Sequence, residues 1–244
     1  MSDGRLYRQD AREAPFDFLA ALFHNRQMPR LPFITFEGSE GSGKSTQADR
    51  LAAHLQKCNV PYLLTREPGG TPIGESIRDL LQFAPHNSGM TPETELLLFE
   101  ASRSQLVREI IKPALERGIC VIADRFFDST TVYQGAARKL DRQIVERLNA
   151  FAVGVCIPDV TFVLDVDAAT AESRMQLEPR KADRMEQQPA EFYERVRDGY
   201  RELAASEPKR IVMVHGSGGV DAIEKQIWET LSSRFPVLAK VSNR

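Results

Sequence analysis

The run Gly38-Ser-Glu-Gly-Ser-Gly-Lys-Ser45 constrains this chain more than any other feature. It follows the apolar stretch Phe33-Ile-Thr-Phe36 and opens directly into a helical pattern. The spacing is G-x-x-x-x-G-K-[ST], set in the strand, loop and helix order that the pattern needs. Glycines at 38, 41 and 43 let backbone N–H groups curl around phosphate oxygens, and the helix start adds its positive dipole end. Residues Gly38, Ser39, Glu40, Gly41, Ser42, Gly43, Lys44, Ser45 and Thr46 are therefore the predicted nucleoside triphosphate site, with Lys44 on the β- and γ-phosphates and Ser45 on Mg²⁺.

From residue 33 onward, short β-rich runs alternate with longer helical patterns, the signature of a parallel sheet covered on both faces. The fold expected is α/β, a doubly wound five-stranded parallel sheet flanked by helices. Its strands are predicted at Phe33 to Glu37, Tyr62 to Arg66, Ile119 to Asp124, Val160 to Asp165 and Ile211 to Val214. Lys44 to Lys57 reads as a helix with Leu51 and Leu55 inward. Thr91 caps a long helix running to about Arg117, with a kink expected at Pro113. The charged stretch 172–188, with Pro179 and no sustained apolar stripe, reads as a mobile surface loop or frayed helix.

A chain of 244 residues, 42% hydrophobic, can bury one sizeable core, so a single domain is expected over residues 31–244. Residues 1–30 form an N-terminal extension of unassigned role. Phe16, Leu19, Leu22 and Phe23 recur there at helical spacing, while Asp3, Asp10, Glu13 and Asp17 argue against a transit peptide. Lys+Arg of 32 against Asp+Glu of 34 provides no positive field to recruit nucleic acid or an anionic membrane, and no run approaches the length that spans a bilayer. Cys58, Cys120 and Cys156 stand far apart without metal-ligand spacing and read as reduced thiols of a cytoplasmic protein.

A phosphate loop alone does not separate a kinase from a switch GTPase or a motor ATPase. The chain has no Asn-Lys-x-Asp guanine signature. The third predicted strand ends in Ala123-Asp124-Arg125, at the carboxyl edge where doubly wound folds bind ligands. Asp124 can hold Mg²⁺ directly or through water, and the planar fork of Arg125 can grip a second phosphate. Read alone, the pair is equally a surface ion pair.

With these residues the chain resembles the thymidylate kinases. Thr65-Arg66-Glu-Pro-Gly-Gly-Thr71, Leu97-Leu-Phe99-Glu-Ala-Ser-Arg103, Asp124-Arg125-Phe-Phe-Asp-Ser129-Thr130-Thr-Val-Tyr133-Gln134-Gly135 and Asp183-Arg184-Met-Glu186 are similar to that family's motifs, and the similarity spans about residues 31 to 235. The resemblance implies transfer of the ATP γ-phosphoryl to dTMP. It implies Phe99 stacking on thymine, Arg103 donating to a ring carbonyl, and Thr130 at the base edge, with Ser129 and Tyr133 also in the dTMP site. Glu40 would accept the 3′-hydroxyl, and Arg66 and Arg125 would steady the acceptor phosphate. Without the resemblance, Phe99 reads as core packing and Arg103 as a solvated helix face.

Some members of the family carry the transition-state arginine in the phosphate loop and others in a lid. Gly41 stands where the first type has arginine, so the resemblance implies the bacterial, lid-borne type, with the lid at about 172–188. Arg180 is the expected catalytic donor, alongside Lys44 and Arg125. Arg184 and Asp183 would close the lid, and Arg174 would lie near the adenine. A homodimer is also implied. Another nucleotide kinase of the same fold, and a non-catalytic nucleotide-binding module, remain as alternatives.

Overall fold

The computed structural model describes residues 30–176, 184, 185 and 187–238. Five strands, β1 (Phe33–Glu37), β2 (Tyr62–Arg66), β3 (Cys120–Asp124), β4 (Val160–Asp165) and β5 (Ile211–His215), form one parallel sheet in the order β2-β3-β1-β4-β5. β3 starts one residue later than the sequence predicts and β5 ends one later. Because β1 sits centrally, the chain runs to β2 and β3 on one side and to β4 and β5 on the other. That reversal opens a crevice beyond its carboxyl end.

Alternate residues of each strand serve opposite faces. Ile34 and Phe36 of β1 and Ile122 of β3 pack with Leu51 and Leu55 of α1 (Lys44–Lys57) and with Ile223, Ile227 and Leu231 of α9 (Val220–Arg234). Phe33, Val121 and Ala123 face the other way, against Leu106, Val107 and Ile111. Register then aligns Arg66 with Asp124 and Phe36 with Asp124, so the strand ends bring Arg66, Glu37 and Asp124 to one edge.

After β2, Thr71 caps α2 (Pro72–Gln82) by accepting from the Gly74 N–H, and Thr91 caps α3 (Pro92–Leu106) by accepting from the Thr94 N–H. The long helix does not simply bend at Pro113. A π-helical segment, Val107–Ile111, separates α3 from α4 (Lys112–Glu116). Proline has no N–H to donate and its ring crowds the carbonyl four residues back, here Glu109, and the widened turn falls on that carbonyl.

Short α5 (Phe127–Thr130) continues into a second π-helical segment, Thr131–Ala137, followed by α6 (Arg142–Val153). The opening of the stretch predicted as loop or frayed helix is helical: α7 spans Ala168–Gln176. Val196 and Tyr200 of α8 (Ala190–Ser206) bury against Val132, Tyr133 and Val163.

Candidate active site

The phosphate loop turns between β1 and α1 with Gly38, Gly41 and Gly43 all at positive φ. A Cβ on Gly38 would meet the Leu164 carbonyl at 2.6 Å, and one on Gly41 the Ala171 carbonyl of α7 at 2.5 Å. Position 41 therefore has no room for an arginine side chain, which is the packing reason for the glycine read in the sequence. Lys44 Nζ donates to the Ser39 carbonyl at 2.6 Å and to Ser42 Oγ at 3.3 Å. Burial first, and then the charge of Arg125, lower the Lys44 ammonium to about 8.

Ser45 Oγ donates to Asp124 Oδ2 at 2.5 Å, so the hydroxyl and carboxylate read as Mg²⁺ ligands lie side by side. Both are hard oxygen donors of the kind this ion takes, together with phosphate oxygens and water. Arg174 of α7 spans the loop. Its Nη1 lies 3.4 and 3.3 Å from the Gly41 and Ser42 carbonyls, and its Nη2 donates to the Gly216 carbonyl beyond β5 at 2.9 Å.

Glu40 points to a different partner. Arg125 Nη2 donates to Glu40 Oε1 at 2.9 Å, and the Tyr133 hydroxyl donates to Oε2 at 2.8 Å. A carboxylate inside a phosphate loop repels phosphate, and this guanidinium offsets that repulsion. Arg125 also donates to the Gly38 carbonyl and Ser129 Oγ and lies over the Tyr133 ring. Thr130 is 1% exposed, and its Oγ1 has no hydrogen-bond partner among the described residues. Arg66 donates to Glu75 and to the Pro68 carbonyl.

On α3, Phe99 is half-buried and belongs to none of the apolar clusters among the described residues, so the core-packing alternative does not hold. Leu96 takes the inward position instead. Arg103 is not on a solvated face. It is fully buried between Glu67 and Glu100, each at 2.7 Å, and it also donates to Asn149 and the Phe126 carbonyl.

The remaining lid residues divide. Arg184 is bonded to Glu95 and the Leu81 carbonyl. Arg180, Lys181 and Asp183 lie outside the described residues. Sequence reasoning passed over Glu37, Glu95 and Tyr200, and it quoted Glu67 only as part of a motif. A carboxylate inside a strand buried on both faces is the signal that singles out Glu37.

A family model described as thymidylate kinase matches residues 36–227. The chain belongs to the thymidylate kinase family. It is 46% identical over 209 residues to the thymidylate kinase of Geobacter sulfurreducens, covering 84% of this chain and 98% of that relative. It is 47% identical over 196 residues to that of Kosmotoga olearia, covering 80% and 92%. The crystal structure of thymidylate kinase from Ehrlichia chaffeensis superimposes with a TM-score of 0.68 at 37% identity, covering 84% of this chain and 99% of that one. Uncovered sequence is concentrated at the amino terminus: the thymidylate kinase family match begins at residue 36.

Proposed function

We propose that the chain transfers the γ-phosphoryl group of ATP to dTMP, forming dTDP and ADP. The observation that carries this reading is the Glu40, Arg125 and Tyr133 cluster. It sets a guanidinium beside the phosphate loop, at the edge where an acceptor phosphate would face the donor. An oxygen of the dTMP phosphate attacks the γ-phosphorus, and the bond from that phosphorus to the β,γ-bridging oxygen breaks. The acceptor is already ionised, so no general base is needed and catalysis is positioning plus charge neutralisation.

Lys44 and the loop N–H groups would hold the β- and γ-phosphates. Arg125, with Arg66, would hold the acceptor phosphate against its own repulsion from the donor. Ser45 and Asp124 would hold Mg²⁺, which when bound neutralises phosphate charge. Phe99 would stack on thymine, and the unpartnered Thr130 hydroxyl would bond its edge. Arg103, held in its acidic cage, would present its fork to a ring carbonyl. Arg180 is the proposed transition-state donor. Lid closure would keep water from the γ-phosphate.

Leu97 of α3, Ile144 and Phe151 of α6, and Val155 beyond it are exposed apolar side chains on helices that pack together. A second copy covering them is the proposed homodimer, checked by sedimentation of Phe151→Asp. The setting proposed is cytoplasmic, and no described helix is long and apolar enough to cross a membrane.

The deciding experiment compares dTMP with dUMP, dGMP, AMP and thymidine as acceptors under Mg-ATP, with ADP release as readout. Preference for any acceptor other than dTMP would reject the reading.

A further inference from the structure

Glu37, the last residue of β1, has no part in the chemistry above, yet it is 0% exposed. A carboxylate is tolerated there only if its lone pairs are filled. Four donors fill them: the Phe126 N–H at 2.8 Å and the Ser129 N–H at 3.2 Å on Oε1, and the Ser129 hydroxyl at 2.6 Å and the Tyr200 hydroxyl at 2.7 Å on Oε2. Both N–H groups belong to the turn leading into α5, which has no side-chain cap of its own.

Arg125 stands immediately before this turn. Its φ of 69° lies in the left-handed region, which a side chain with a Cβ adopts only when its surroundings hold it there. The peptides on both sides of it are tied to β1: the Arg125 N–H donates to the Phe36 carbonyl at 2.9 Å, and the next N–H donates to Glu37.

Ser129 makes a second link. A carboxylate only accepts, so the Ser129 proton must point at Glu37, which leaves the oxygen lone pairs for Arg125 Nη1 at 3.1 Å. Glu37 thereby fixes both the backbone of Arg125 and the polarity of a hydroxyl that its guanidinium donates to.

We propose that Glu37 is a positioning residue for the acceptor: acting through Ser129 and the Arg125–Phe126 peptide, with Tyr200 completing its bonds, it holds Arg125 at the acceptor phosphate. This rests on the reading of Arg125 as the acceptor grip. The substitution Glu37→Gln is nearly isosteric and can still accept from both N–H groups. Its amide nitrogen, however, would donate to Ser129 and turn the serine proton toward Arg125.

The test is a cycle of Glu37→Gln, Arg125→Lys and the double variant, with steady-state kinetics for both substrates and thermal melting to confirm folding. Glu37→Gln is expected to raise KM for dTMP by about tenfold while KM for ATP stays within about twofold. In the Arg125→Lys background, the same change is expected to add less than about twofold. Multiplicative effects, or equal rises in both KM values, overturn the proposal. An unchanged KM for dTMP in Arg125→Lys alone overturns the acceptor-grip reading first and this one with it. Should Glu37→Gln fail to fold, Ser129→Ala cuts the same link without touching the carboxylate, and the same KM split and non-additivity are required of it.

Discussion

Arg103 donates from Nε to Glu67 Oε2 at 2.8 Å, inside the protein, with neither side chain open to solvent. Glu100 takes the same guanidinium at 2.7 Å, so one cation is shared between two buried carboxylates and cannot neutralise both. Burial pushes the Glu67 carboxyl up from its ordinary 4.5 to about 7, against the opposing pull of Arg103. The folded protein therefore binds a proton at Glu67 that the unfolded chain has released between those values. Stability from this group is full below about 4.5 and is lost as pH rises through about 7. Urea unfolding of the wild type and Glu67→Gln across that range should show the wild type losing ground to the variant as pH rises. A constant difference would contradict the buried-pair account.

Arg103→Met removes the shared cation and leaves both carboxylates buried without it. The loss should be about 3–5 kcal/mol near neutral pH, because an uncompensated buried charge costs more than the pair contributed. It should shrink in acid, where the carboxyls protonate instead. Arg103→Lys keeps the charge but not the planar fork and should fall between. Unfolding midpoints of the two variants at acid and neutral pH measure this directly.

Glu40 already accepts from Arg125 and Tyr133, but a carboxylate has about four acceptor sites, so a 3′-hydroxyl can still be received. If it is, the wild type should favour dTMP over its 3′-deoxy analogue by about tenfold or more in kcat/KM, since the analogue leaves a partly buried acceptor short of a donor. Glu40→Ala should lower activity on both and bring their ratio close to one. A ratio unchanged by the substitution would remove Glu40 from 3′-hydroxyl recognition.

The sheet was legible in the sequence because strands buried on both faces appear as short apolar runs, and the glycine loop marks where the first one ends. Their boundaries hold to within a residue, and with them the meeting of Arg66 and Asp124 at one edge. Partners separated along the chain were not legible. Arg103 reads locally as a helix surface residue, and only the fold brings Glu67, 36 positions earlier, against it. Glu37 looked like a strand end because its donors come from β3's exit and from α8. The same holds for Glu95, which reads as a first-turn acid on α3 until Gln134, Arg138 and Arg184 converge on it.

That convergence bears on the lid. Arg184 Nη2 donates to Glu95 Oε2 at 2.5 Å and its Nε to the Leu81 carbonyl at 3.0 Å, while Gln188 bridges the Arg184 carbonyl and Arg138. Two of its donors are thus spent on α2 and α3, one turn before Phe99, which suits an anchor for the lid's exit better than a group acting on the phosphoryl in flight. Arg184→Gln should then lower kcat only several-fold. Glu95→Gln should do the same, and the double variant should be no worse than either, because both cut one contact. A donor to the transition state would behave differently. Its removal would cost about 10²–10³ in kcat, and Glu95→Gln would not reproduce that loss. Steady-state kinetics of the three variants separate the two roles, and a large loss confined to Arg184→Gln would return this arginine to the chemistry.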